Sequence, residues 1–218
     1  MSADYSRITT AVQSFRDKYL ALPGDMTNAT KFWGAAHATP ATCRTTASAT
    51  TATCDGNGDG QVIDNGLTSQ ESYRFWQQLA NAGLMEGSYD GITHGASSYS
   101  STAANSPRGK ISNSLWFVWN WTTVSGNSSF FDGPYNNSLQ FGGISTDGDP
   151  YTPIFKPEEA WNLDTKLDDG KPASGNIVMR SAAGLSACTT ATATNQLTAD
   201  YLLSSTNIAC NLVFRNQF

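Results

Sequence analysis

The run Asp55-Gly56-Asn57-Gly58-Asp59-Gly60-Gln61 carries the sharpest chemistry in the chain. Side-chain oxygens stand at its first, third and fifth places, glycine at the sixth supplies a sharp turn, and the Gln61 carbonyl stands at the seventh. This is the first half of a twelve-residue calcium loop. The second half departs from that pattern, because the twelfth place holds Gly66 in place of a bidentate Glu. Asp64 inside the loop, or Glu71 just beyond it, is needed to complete a coordination shell. The expected metal set is therefore Asp55, Asn57, Asp59, Gln61, Asp64 and Glu71, holding calcium. Its competitor is a plain Gly-rich turn, which uses Asp and Asn for their own turn propensity. Calcium here is expected to be structural, since hard oxygen ligands without redox chemistry give no reason to expect catalysis.

Other reactive residue types are sparse. The four cysteines, Cys43, Cys54, Cys188 and Cys210, form no Cys-x-x-Cys or Cys/His cluster, so they read as disulfides of an oxidising compartment and not as a zinc site. Three pairings are open. Nearest-neighbour pairing, Cys43 with Cys54 and Cys188 with Cys210, is the expected one, because each pair brackets a Thr/Ala/Ser-rich loop with little else to hold it. Closing loops of that length contributes roughly 3 kcal/mol each by a chain-entropy argument. His37 and His94 stand alone among small polar residues and read as solvated. Asp164, Asp168 and Asp169 resemble an acid pair, but two adjacent acids beside Gly170 read as a turn, and Asp147-Gly148-Asp149-Pro150 is a second acidic turn and a weaker metal candidate. There is no Gly-x-Ser-x-Gly elbow, no His-Glu-x-x-His and no glycine-rich phosphate loop followed by Lys and Ser/Thr. The chain does not read as an enzyme.

The elements that must position these residues are legible from periodicity. Tyr5, Ile8, Val12, Phe15, Tyr19 and Leu22 recur at steps of three and four, one helical stripe, and Pro23-Gly24 ends it near Leu22. Asp25 or Thr27 is expected to cap a short helix to about Trp33, with Phe32 and Trp33 packing back on the first helix. Residues 35–53 and 86–107 read as surface loops. Thr68 with Glu71 three residues on has the spacing of a capping box, opening a helix with Tyr73, Trp76, Leu79, Ala80 and Leu84 on its apolar side and Gly83 at its end. Pro157-Glu158-Glu159 opens another helix, to about Lys166 or Leu167. Strands are expected over 115–124, 138–144, 176–180 and 211–214. In the first, Phe117, Trp119 and Trp121 alternate with Trp116 and Val118, so both faces are apolar and the strand is expected to be central. Those tryptophans read as core, with a sugar-stacking platform as the alternative. The fold class is α+β, an amphipathic N-terminal helix laid across an antiparallel sheet, with extra short helices and long disulfide-tied loops.

Three segments stand in order along the chain: Phe15-Arg16-x-Lys18-Tyr19-x-Ala21-Leu22-Pro23-Gly24-Asp25-Met26-x-Asn28-Ala29-Thr30-x-x-Trp33-Gly34, Glu71-Ser72-Tyr73-Arg74-Phe75-Trp76-Gln77-Gln78-Leu79-Ala80-Asn81-Ala82-Gly83-Leu84, and Leu163-Asp164-Thr165-Lys166-Leu167-Asp168-Asp169-Gly170-Lys171-Pro172-x-x-Gly175. Together they resemble the type IV pilin-like proteins of bacteria, including the pseudopilins of type II secretion. The resemblance implies that residues 1–24 are the C-terminal half of a stem helix and 25–218 a globular head. It implies a filament of pilin-like subunits at the cell surface or in the periplasm, and a C-terminal disulfide loop at the exposed edge of the head. The apolar half of such a stem is not in this sequence, whose windows never approach a membrane span. The simplest account is that Met1-Ser2 is an artificial start and that this half, which alone would anchor the protein in the inner membrane before assembly, has been cut off; the alternative is a natural soluble protein that starts here. The alternative within the same resemblance is a minor pilin or adhesin-like head that recognises a glycan, a surface or a partner protein.

Composition agrees with a surface protein. Charged residues make up 14 % of the 218, and the net charge is −5. With no run of Lys or Arg, the chain has no electrostatic footprint for nucleic acid or anionic lipid.

Overall fold

The computed structural model describes residues 1–63, 70–95, 99–145 and 148–218. Asp64, Thr68 and Asp147 fall outside them. Helix α1 spans Ser2–Tyr19. Ile8, Val12 and Phe15 are fully buried, while Tyr5, Tyr19 and Leu22 pack on the core's margin, so the apolar stripe forms as expected. The helix stops sooner than Leu22. Pro23 excludes Leu22 from helical geometry, and the chain turns off at Leu20, which takes a left-handed conformation (φ 54°) and donates its N–H to the Arg16 carbonyl. The turn buries Pro23, Gly24 and Asp25 and leaves Leu20 91 % exposed.

Two single-turn helices follow, α2 (Thr30–Trp33) and α3 (Pro40–Cys43), then α4 (Glu71–Asn81). Strands β1 (Ser114–Asn120), β2 (Thr123–Val124), β3 (Gly133–Pro134) and β4 (Asn137–Gly143) precede α5 (Pro157–Leu167). Strand β5 (Ile177–Arg180), the short α6 (Leu185–Cys188) and β6 (Asn211–Phe214) complete the chain. The main sheet is antiparallel with order β1-β4-β6-β5, and β2 and β3 form a separate ribbon. The protein is α+β, with an N-terminal helix, a four-stranded antiparallel sheet and two disulfides, Cys43–Cys54 and Cys188–Cys210.

Register sets the core. Trp116 lies opposite Phe141, Val118 opposite Leu139, and Leu212 and Phe214 opposite Met179 and Ile177. These side chains share one apolar cluster with Ile8, Val12 and Phe15 of α1, and Tyr5 stacks on Phe214 with ring centroids 4.4 Å apart. Each large side chain buried there contributes about 1.5–3 kcal/mol. On the other face, Val178, Val213, Val124, Phe130 and Tyr135 form a second, smaller cluster.

Strand β1 is an edge strand, which corrects the central position expected from its two apolar faces. Its free edge is covered: Trp116 N–H donates to the Pro107 carbonyl, Gly109 N–H donates to the Ser114 carbonyl, and Tyr73 of α4 lies against Phe117. Trp119 and Trp121 stack on one another at 5.5 Å and 12°, with Tyr99 against Trp119 and Phe130 against Trp121. Both tryptophans are half-buried and stand outside the main core cluster, with Trp121 packed at the margin of the smaller one.

Candidate functional site

Residues 55–63 close over two buried carboxylates from elsewhere in the chain. Gly58, Asp59 and Gly60 turn their N–H groups onto Asp25, at 2.6, 3.1 and 3.0 Å. Asn57 and Ile63 donate theirs to the two oxygens of Glu71, at 3.1 and 3.3 Å. The side chains of Asn57 and Asp59 accept from the amides two residues on, from Asp59 and Gln61, which fixes the turns locally. Two close approaches lock the arrangement. A Cβ on Gly56 would stand 2.4 Å from the Asp25 backbone, and one on Gly24 2.4 Å from the Glu71 carbonyl, with Gly24 already at φ +83°. Only glycine fits either place.

The expected ligand set is therefore only partly brought together. Glu71 and Asp59 come to the loop, with Asn57 between them. Asp55 instead turns outward to accept from the Thr30 N–H and hydroxyl at 2.8 and 3.1 Å. It thereby serves the N-terminus of α2, the place expected for Asp25 or Thr27. Gln61 donates its amide to Asp59 and turns to a different cleft. Asp25, absent from the expected set, stands where Asp55 was expected. Helix α4 begins at Glu71 itself, after Gln70 in a left-handed conformation (φ 53°). Glu71 thus occupies the first helical position, and its carboxylate serves the loop amides of Asn57 and Ile63; the Thr68 side of the expected capping box lies outside the described residues.

Electrostatics at this point are unbalanced. Glu71 is 1 % exposed, and burial pushes its pKa up to about 7; the loop amides act against that, while Asp25 and Asp59 add to it. Burial likewise raises Asp25, opposed by the amides of Gly60 and Gly58 and reinforced by Asp59. A cation beside these acids would relieve the repulsion. Among the described residues, the carboxylates whose oxygens converge closely enough to share one ion are Asp164, Asp168 and Asp169 instead.

That second trio is engaged with its own chain. Asp168 accepts from Asn176 and Ile177 N–H at 2.6 and 2.9 Å, and Asp169 from Lys171 N–H and the Ser174 hydroxyl. Fully buried Asp164 accepts from the Tyr201 hydroxyl at 2.8 Å. Burial holds its pKa near 7, eased by Tyr201 and raised further by Asp169 and Asp168. The acids staple the turn after α5 to β5 and to the 188–210 loop, in keeping with the turn expected there.

The polar face of α4 went unremarked in the sequence, although Arg74, Gln77 and Gln78 at steps of three and one define it. Arg74 donates to the carbonyls of Cys43 and Thr46 at 3.0 and 2.8 Å and to Gln77. Gln77 bonds Thr53 and Ala52, and Gln78 bonds Gly24 and Cys54. The disulfide loop is thus read carbonyl by carbonyl. Gly83 (φ 71°) ends the helix as expected, with Gly83 and Leu84 N–H returning to Ala80 and Leu79. His94, expected to be solvated, is paired with Asp90, while exposed His37 accepts from the Thr39 N–H. Asp149 pairs with Arg180, whose guanidinium lies 4.6 Å from the Phe130 ring.

No helix among the described residues is long and apolar enough to cross a membrane. Comparison with protein-family models, curated proteins and solved structures returns no match for this chain.

Proposed function

We propose that this protein is a structural subunit of a filament of the type IV pilus or type II secretion pseudopilus kind, its head exposed for assembly or surface contacts. The observation that carries the reading is α1. It buries Ile8, Ala11, Val12 and Phe15 in the core it shares with α4 and the sheet, while Arg7, Gln13, Arg16, Asp17 and Lys18 face outward. A helix of this kind, continued by an apolar half ahead of it, would pack with its copies in a filament core and reach the membrane only through that half. The two disulfides suit an oxidising compartment such as the periplasm or cell surface. With charge low and basic runs absent, nucleic acid is not a partner of this domain, and the reading assigns the chain no enzymatic step.

Calcium belongs to the same proposal, with its ligands amended by the geometry. Asp25, Asp59 and Glu71 are the acids nearest a cation over residues 57–61; their oxygens do not converge on one point in this arrangement, so binding would have to draw them together and would hold them ionised.

The test supplies the chain with an apolar helical segment ahead of Ser2, in a bacterium that carries a pilus-type assembly machinery. Filaments in the sheared surface fraction, seen by electron microscopy and absent without the added segment, support the reading. A stem-bearing protein that stays monomeric in the membrane overturns it.

A further inference from the structure

A second cleft, of about 530 Å³, opens where the C-terminal ends of the loop 60–62, β1 and β6 meet. Its volume lies in the range of small-molecule sites, about 300–1,000 Å³. The polar lining is almost wholly carboxamide: Gln61, Asn120, Asn136, Asn137 and Asn216, with the Thr122 hydroxyl. Among the described residues no charged side chain lines it, and Phe218 supplies the apolar contact.

The floor is rigid and satisfied. Buried Asn137 accepts from Val62 N–H and Asn120 Nδ2, both at 2.9 Å, and donates to the Gly60 carbonyl and the Phe218 main-chain oxygen at 2.8 and 3.0 Å. The rim differs. Asn136 Nδ2 donates to Asn216 Oδ1 at 2.7 Å, which leaves Asn136 Oδ1 as an acceptor and Asn216 Nδ2 as a donor without partners among the described residues. The side chains of Gln61 and Thr122 add two more groups that both donate and accept. All three rim residues Thr122, Asn136 and Asn216 are left-handed, at φ 46°, 47° and 57°. For a β-branched threonine this is an outlier, and such conformations gather at binding sites.

We infer that this cleft is a binding site for a neutral carbohydrate. Paired amide donors and acceptors match vicinal hydroxyls, and the Phe218 ring, stacked on Phe75 through one face with centroids 5.4 Å apart, has its other face for the C–H face of a sugar. With no cationic side chain among the described lining residues, an anionic ligand meets no counter-charge. Peptide recognition ordinarily uses an open strand edge, a helix groove, an aromatic groove or a basic cluster, and this lining offers none of them. The site is independent of filament assembly, so neither proposal falls with the other.

The experiment is a ¹⁵N NMR titration of the oxidised protein with maltotriose, cellotriose and chitotriose, and with sialyllactose and N-acetyl-trialanine amide as contrasts. One of the neutral trisaccharides should shift the side-chain amides of Asn136, Asn216 and Gln61 saturably at millimolar concentration, at least tenfold more tightly than sialyllactose. The variant Asn136→Gly/Asn216→Gly keeps the left-handed backbone allowed and should abolish the shifts with the spectrum otherwise folded. Gln61→Ala, outside the strained positions, should weaken them severalfold. Absence of shifts with all three sugars at tens of millimolar, shifts that survive in the double variant, or response to the peptide alone would overturn the inference.

Discussion

Glu71 makes the stability of this protein depend on pH in an unusual direction. A carboxyl raised from 4.5 to about 7 on folding binds its proton more tightly in the native than in the unfolded state. Its contribution is complete below pH 4.5 and is lost as pH rises to 7, because the unfolded chain ionises first. Each tenfold change in acid dissociation is worth about 1.4 kcal/mol, so the loss is about 3 kcal/mol, on the order of 10 °C in melting temperature for a domain of this size. Asp164 titrates in the same sense, from 3.8 to about 7, so the parent curve contains both. Glu71→Gln isolates the first. Its amide nitrogen would face a backbone N–H from Asn57 or Ile63, which lowers stability at every pH equally and leaves the slope untouched. Urea unfolding in EGTA between pH 4.5 and 8 should show the parent losing stability as pH rises, and the variant losing about 3 kcal/mol less over the same range. Millimolar calcium should raise the parent's stability at pH 8 and flatten its curve, because a bound cation favours the ionised acids. Equal slopes in the two proteins, or a parent that gains stability over this interval, would refute the electrostatic account of the loop.

Other substitutions probe the remaining links. Asp25→Ala removes the acceptor of three loop amides and should destabilise by about 2–4 kcal/mol, with faster proteolysis between residues 56 and 61. Arg74→Met strips the carbonyls of Cys43 and Thr46 of their donor, so it should cost about 3 kcal/mol and raise amide exchange across 43–54. Replacing Cys188 and Cys210 together by Ser should lower stability by roughly 3 kcal/mol in urea unfolding. Phe15→Ala, which empties a fully buried position beside Trp33 of α2, should cost about 3–5 kcal/mol.

The elements were legible because their signals are local. The stripe from Tyr5 to Phe15, Pro157 at the start of α5, Gly83 at the end of α4 and the four main strands all rest on neighbours within a few residues. What stayed hidden depends on distance in the chain. Asp25 receives amides from 33 to 35 residues away, and nothing in its own surroundings announces that. Asp55 looked like the first ligand of a loop until its nearest donors proved to be those of Thr30. The roles of Arg74, Gln77 and Gln78 depend on the disulfide loop, 24 to 31 residues away, which buries all three. Strand β1 looked central because both its faces are apolar, and its edge position depends on a segment around Pro107 with no strand signal of its own. The asparagines of the carboxamide cleft are scattered over 120–137 and 216, and only strand pairing brings them together.

The proposal that α1 is a filament stem is tested most directly by its outward face. With an apolar segment ahead of Ser2, a photo-crosslinking residue at Gln13 or Asp17 should give a ladder of dimers, trimers and higher species in cells that assemble filaments. The same probe at Leu203, a half-exposed position on the 188–210 loop, should give far less. Crosslinks confined to a single non-filament partner, or monomer alone at all three positions, would contradict the account.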